Sequence, residues 1–279
     1  MPYSAPISRS NPTALIFLLD QSSSMLEPFG AQPEKTKASG VSDALNRLLQ
    51  NLILKCARAD GVRDFFHVGM VSYGGRVQSA FGGLLAGKNI LPISQIANNP
   101  LRVEVRKRKV DDGAGALVDE EFKFPVWFEA HPTGRTPMCE ALRKAKEDLK
   151  VFLDIQPNGY PPIVINITDG QPTDGDPREA AKELRNLTSK DGNVLLFNAH
   201  LSDKQTRPIE FPAEETGLPD DFAKLLFRMS SELPTKLFEA AKTSGLVVSP
   251  QSRGFVFNAD LVAIIRFLDI GTRVAQSVR

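Results

Sequence analysis

No apolar run in this sequence approaches the roughly 18 residues that a membrane-spanning helix requires. Cysteine is scarce: Cys56 and Cys139 are the two present. Both sit in segments that read as helices, which favours buried, reduced thiols over a disulfide. An excess of one charge is also missing, because 34 basic and 33 acidic residues leave a formal +1. Neither nucleic acid nor an anionic membrane is therefore implied as a partner. The stretch Met1 to Thr13 is polar and carries no signal-peptide core. Together with the thiols, this makes a reducing cytoplasm the expected location. Three histidines, His67, His131 and His200, have no Ser or Cys nucleophile motif around them, so nucleophilic catalysis finds little support. A phosphate-binding Gly-Lys-Ser or Gly-Lys-Thr is absent as well.

What is present is ordinary globular material, 42% hydrophobic and 24% charged, of a length suited to one large α/β domain. Ala14 to Leu19 is a continuous apolar run ending at Asp20, the pattern of a strand buried on both faces. Apolar positions at spacings of three and four (Val41, Ala44, Leu45, Leu48, Leu49, Leu52) predict a helix from Pro33 to Arg58. Strands are expected at Phe65 to Tyr73, Pro162 to Thr168, Val194 to His200 and Gly254 to Phe257. Helices are expected at Thr136 to Phe152, after the cap Asp176-Pro177, at Asp220 to Met229 and at Pro234 to Thr243. A last helix should run from the cap Asn258 to about Thr272. Between them, Val77 to Leu85 reads as an edge strand. Leu101 to Val110 alternates charge with valine and reads as a solvated strand or hairpin arm. The expectation is an N-terminal extension over 1–13, then one domain over 14–279 with an insertion at about 82–125. Its fold class is α/β: a Rossmann-like, doubly wound, mostly parallel sheet with helices on both faces.

In such sheets ligands bind outside the carboxyl ends of the strands. Asp20-Gln21-Ser22-Ser23-Ser24 follows the first strand, Asp169-Gly170 follows another, and Thr133-Gly134-Arg135-Thr136-Pro137 lies at a loop-to-helix junction. Taken singly, such residues are commonly turn formers and helix caps. Gathered at one edge, these segments supply three hydroxyls and two carboxylates, a set of hard oxygen donors. Mg²⁺ and Ca²⁺ prefer such donors, and a compact set of short side chains suits Mg²⁺ better.

At these residues the sequence resembles the von Willebrand factor A family. That family's metal-ion-dependent adhesion site combines an Asp-x-Ser-x-Ser turn, a separate Thr and a later Asp. Asp20, Ser22, Ser24, Thr136 and Asp169 match it in order and setting, and Gly134 to Met138 resembles the Gly-x-Thr-Pro stretch of bacterial members. The resemblance spans about Ala14 to Thr272. More loosely, the chain is similar to bacterial tellurite-resistance-type members, which are associated with kinase and phosphatase partners. The resemblance implies a non-enzymatic binding domain in a bacterial signalling or stress-response assembly. It would hold Mg²⁺ (with Mn²⁺ or Ca²⁺ as alternatives) and capture an Asp or Glu of a partner protein, a kinase or phosphatase of the same system being a candidate. Ser22 and Ser24 would ligate directly and Thr136 in the ligand-ready state, with Asp20 and Asp169 acting through water or hydrogen bonds. Two departures are the long link Leu26 to Pro33 and the 82–125 insertion.

Other signals weigh less. Asp169, Asp174 and Asp176 lack the closing glutamate of an EF-hand. The basic cluster Arg102, Arg106, Lys107, Arg108 and Lys109 lies beside Glu104, Asp111 and Asp112 and reads as a solvated face. The rival function is a metal-dependent phosphoesterase with Asp20 as base or nucleophile, though two-metal chemistry wants more direct carboxylates than are offered. A metal-free scaffold with hydrogen-bonded turns is a third possibility.

Overall fold

Every residue of Thr13–Asp20 (β1) is buried, as a strand covered by helices on both faces requires. The computed structural model describes residues 2–29, 32–111, 117–202 and 207–259, together with 263, 265–267 and 269. After β1 come Lys37–Cys56 (α1), Phe66–Tyr73 (β2), Val77–Ser79 (β3), Ile90–Pro92 (β4) and Ile93–Ala97 (α2). Arg102–Asp111 (β5), Leu117–Val126 (β6), Met138–Ile155 (α3), Ile163–Thr168 (β7) and Arg178–Arg185 (α4) follow. Leu195–His200 (β8), Ile209–Glu210 (β9), Asp221–Met229 (α5), Thr235–Thr243 (α6) and Phe255–Phe257 (β10) complete the described elements used below.

The main sheet runs β9-β10-β8-β7-β1-β2-β3, with β4 also on β2. Its centre is parallel: β1 pairs with both β2 and β7, β7 with β8, and β8 with β10. The pairings of β3 and β4 with β2, and of β9 with β10, are antiparallel. The fold is thus a doubly wound α/β sheet, mostly parallel. From β1 the chain winds first to β2 on one side and later to β7 on the other, so the winding reverses between β1 and β7. A crevice forms at such a switch point. Alternation along β1 feeds two cores. Leu15, Phe17 and Leu19 pack with Leu45, Leu49 and Leu52 of α1. Ala14, Ile16 and Leu18 pack with Met138, Leu142 and Leu149 of α3.

Helix boundaries differ from expectation at several places: α1 ends at Cys56 rather than Arg58, and α3 runs from Met138 to Ile155 rather than from Thr136 to Phe152. The first helix starts at Lys37, not Pro33, because Thr36 caps it, accepting from the Ser39 N–H at 3.1 Å. The long link before it is instead a small antiparallel ladder of Pro28–Phe29 with Gln32–Thr36. Part of that link, residues 30 and 31, lies outside the described residues. The expected edge strand over Val77 to Leu85 stops at Ser79, and Gly83–Leu85 is a 3-10 turn. The expected helix after Asn258 is helical at 263, 265–267 and 269, and the rest of that span lies outside the described residues.

The insertion contains the two-stranded β5–β6 arm; its glycines Gly113 and Gly115 lie outside the described residues. The basic cluster on β5 is answered by cross-strand acids: Lys109 meets Asp119 at 2.8 Å and Lys107 meets Glu121 at 3.8 Å. Arg106 ties the arm to α1 through Asp43 at 2.9 Å and lies 3.7 Å from the Phe124 ring centroid. Such pairing is that of a structural strut, with its charges already spoken for.

Candidate metal centre

The polar residues after β1 and β7 meet at the switch-point crevice. Parallel register sets Leu19 beside Ile167, which brings the strand ends Asp20 and Thr168 level. The Asp20 side chain is wholly buried. One carboxylate oxygen accepts from the Ser22 N–H at 2.8 Å and the other from the Thr168 hydroxyl at 2.6 Å. Burial pushes the Asp20 carboxyl up to about 6, against the opposing pull of the bonds from Thr168 and Ser22.

From Asp20 the contacts continue outward. Ser22 Oγ and Ser24 Oγ are 3.0 Å apart, and Ser24 Oγ donates to Asp169 Oδ1 at 2.8 Å. Thr136 arrives from the loop before α3, and its backbone exchanges two bonds with Thr173. The Thr136 N–H donates to Thr173 Oγ1 at 3.1 Å, and the Thr173 N–H donates to the Thr136 carbonyl at 2.9 Å. Gly170 leaves the space between the segments open. A Cβ there would stand 3.3 Å from Thr136 Oγ1 and 3.8 Å from Ser24 Oγ. All five expected residues therefore sit at one edge of the sheet, joined through neighbouring contacts.

Several participants were not read from the sequence. Thr168 is the hydroxyl that holds Asp20, and as the residue beside Asp169 at a strand end it was open to notice. Gln21 knits the loops: its amide donates to the Asp20 carbonyl at 2.7 Å, and its side-chain oxygen accepts from the His131 N–H at 2.7 Å. Lys37, first residue of α1, is 3% exposed. Its ammonium donates to Asp169 Oδ2 at 3.0 Å and to Glu27 at 2.6 Å. Burial works against that charge, but the bonds to Glu27 and Asp169 outweigh it and hold Lys37 above its ordinary range. Behind the crevice Tyr73 donates to Asn166 at 2.6 Å, Asn166 to Asn198 at 3.0 Å, and Asn198 to Ser230 at 2.9 Å. This satisfied buried ladder locks β2, β7 and β8 against α5.

Asp174, Asp176 and His200 make structural contacts. Asp174 caps α3 by accepting from the N–H groups of Cys139 and Glu140 at 3.1 and 2.9 Å. Asp176 accepts from the Arg178 N–H at 3.0 Å at the start of α4. His200 stacks on Phe257 at 4.9 Å. Among the described residues no three His, Cys, Asp or Glu side chains converge on a possible metal position. The cluster's donors are hydroxyls first and carboxylates second.

The two serine hydroxyls are hydrogen-bonded to each other at 3.0 Å, a spacing that a small divalent cation would also accept. Adjacent ligands of an octahedral Mg²⁺, each about 2.0–2.1 Å from the metal, stand about 3 Å apart, the spacing of the two serine hydroxyls.

No family model matches this chain, and no curated relative does. Among solved structures, three N-terminal domains of the type V pili tip protein Mfa5 from Porphyromonas gingivalis share 14% identity over 58% of this chain and 20% of theirs, at a TM-score of 0.33. The vWF domain of the same protein shares 15% over 58% of this chain and 39% of that one, at 0.31. The PilB minor pilin from Streptococcus sanguinis shares 13% over 98% of this chain and 64% of its own, at 0.46. The chain thus spans less than two thirds of each. Likeness at these levels assigns no ligand and no partner.

Proposed function

We propose that this domain binds protein, holding one divalent cation, Mg²⁺ foremost, at the switch-point crevice to capture an acidic side chain. The observation that carries the proposal is the hydroxyl pair of Ser22 and Ser24 at 3.0 Å, anchored on Asp169. Ser22, Ser24 and Thr136 would hold the metal, while Asp20 and Asp169 would orient the hydroxyls and any bound water. When bound, the cation would supply an electrophilic position for a partner's carboxylate. The chain's share is to keep that position attractive, because neutral hydroxyls leave the charge of a cation uncancelled. A hydroxyl-led donor set is poorly suited to two-metal phosphoester chemistry, which sets the phosphoesterase reading aside. Both cysteines are buried and unpaired, and burial pushes each thiol up to about 11. The proposed setting is a reducing cytoplasm, beside a signalling partner such as a kinase or phosphatase.

Lys37 favours a second reading. Its ammonium already bridges Asp169 and Glu27, so the crevice contains a cation of its own, and a metal-free scaffold would use that charge instead.

The test immobilises wild type and Thr136→Val and compares the proteins each retains in Mg²⁺ and in chelator. Valine keeps the shape and removes one oxygen, so the variant should lose partners while unfolding within about 1 kcal/mol of wild type. Wild type should release its partners to chelator. Retention by wild type in chelator, or normal retention by Thr136→Val, overturns the bridge.

A further inference from the structure

We propose a second binding site, for a small molecule bearing an oxyanion, in a cleft at the end of the sheet opposite the hydroxyl cluster. The cleft, about 540 Å³, lies where β8 begins and is lined by Tyr3, Arg185, Asn186, Asn193, Ser231 and Arg253, among others. That volume is within the range of small-molecule sites. It includes none of the five residues of the crevice and owes nothing to the metal reading.

Two guanidinium groups share this cleft, and one of them is unanswered. Arg253 donates to the Ser230 carbonyl at 2.8 Å, lies 5.3 Å from the Phe227 ring centroid, and meets Glu232 at 3.4 Å. Arg185, at the end of α4, has no carboxylate or hydrogen-bond partner among the described residues, and its Nε is buried without an acceptor. Burial, and after it the charge of Arg253, lower the Arg185 pKa. The helix dipole favours a cation in that last turn but provides no acceptor for the buried donor. A half-buried arginine facing another arginine is an arrangement that a bound anion would relieve.

The other walls are mixed: apolar residues such as Leu195 and Leu233 line the cleft, and so does Glu232, whose carboxylate Arg253 answers at 3.4 Å. Ser231 Oγ accepts from the Leu196 N–H at 3.0 Å, and its own proton is committed to no acceptor among the described residues. Tyr3 holds a left-handed φ of 59°, a strained setting for a tyrosine. Asp191 clamps it there. The Tyr3 N–H donates to the Asp191 carbonyl at 2.7 Å, and the next two N–H groups donate to its carboxylate at 3.0 and 2.8 Å. A guanidinium fork and a hydroxyl lining one cleft are suited to the paired oxygens of a phosphoryl or carboxylate group.

The test melts the full chain in chelator, so that no divalent cation at the crevice can recruit an anion. Inorganic phosphate and acetate are titrated separately against chloride at matched ionic strength. A saturable rise in Tm with phosphate alone assigns a phosphoryl group, and a rise with acetate too assigns oxyanions generally. The rise should vanish in Arg185→Met and persist in Ser22→Ala. Without anion, Arg185→Met should melt at or above wild type, whereas a purely structural arginine would lower the Tm when removed. Should Arg185→Met fail to fold, Arg185→Lys keeps the charge without the fork and should bind about tenfold more weakly. No saturable rise with either probe, or an equal rise in wild type and the Arg185 variant, overturns the site.

Discussion

The two ends of the sheet treat polar groups in opposite ways. At the carboxyl ends, Asp20, Ser22, Ser24, Thr168, Asp169 and Lys37 form one connected network in which both Asp20 oxygens and both Asp169 oxygens are used. At the amino ends, Arg185 has a buried donor with no acceptor among the described residues. A satisfied network supports the fold by itself, so breaking it should cost stability. An unsatisfied charge supports nothing until something binds, so removing it should cost little. Stability measurements on variants at each end can therefore tell a self-sufficient site from one waiting for a ligand.

The largest effect is expected for Lys37→Met. The Asp169 side chain is fully covered and Lys37 is its cation, and stranding one member of a buried pair costs about 3–5 kcal/mol. Urea unfolding in chelator measures the loss, and added Mg²⁺ should restore part of it. An unchanged midpoint would mean that the ammonium is incidental. The same variant sharpens the choice between metal and resident ammonium, since metal affinity should rise once the competing cation is gone.

Thr168→Val comes next. It removes the 2.6 Å bond to a buried carboxylate, and a hydrogen bond to a charged group is worth about 1.5–3 kcal/mol. Urea unfolding at neutral pH reads the value; a loss well under 1 kcal/mol would show that Asp20 does not depend on this hydroxyl.

The network was partly legible in the sequence. Apolar runs that stop at Asp20 and Asp169 locate two strand ends, and the switch-point rule brings those ends together; the resemblance to the Asp-x-Ser-x-Ser, Thr and Asp motif then singled out the five oxygen-bearing residues. Lys37 could not be named in this way. A helix starting at Pro33 would put Lys37 in its second turn, a position that gives a lysine no special role. Capping by Thr36 makes it the first helical residue and turns it into the crevice. Gly170 was legible as a turn residue but not as the open space beside Thr136, because that depends on how closely two loops approach. The Arg185 cleft was invisible for a similar reason: its residues are far apart in sequence and share no motif.

Smaller effects follow. Gly170→Ala introduces a methyl 3.3 Å from Thr136 Oγ1, tight but with side-chain neighbours. It should change stability by about 1 kcal/mol or less while weakening Mg²⁺ binding in calorimetry. Unaltered binding would place the cation away from Thr136. Arg185→Met should be the mildest of all, within about 0.5 kcal/mol of wild type or more stable. A clear loss in urea would end the contrast drawn between the two ends.

The central claim, one divalent cation on the serine hydroxyls, is tested most directly by calorimetric titration of chelator-stripped protein with Mg²⁺. Wild type should bind one ion per chain, and at a hundredfold excess over Kd the ion should stabilise the fold by about 2.7 kcal/mol. Ser22→Ala/Ser24→Ala should remain folded and show no binding at that site. If wild type takes up no Mg²⁺ or Mn²⁺, or the double variant binds as tightly as wild type, the cation is not held where the hydroxyls stand.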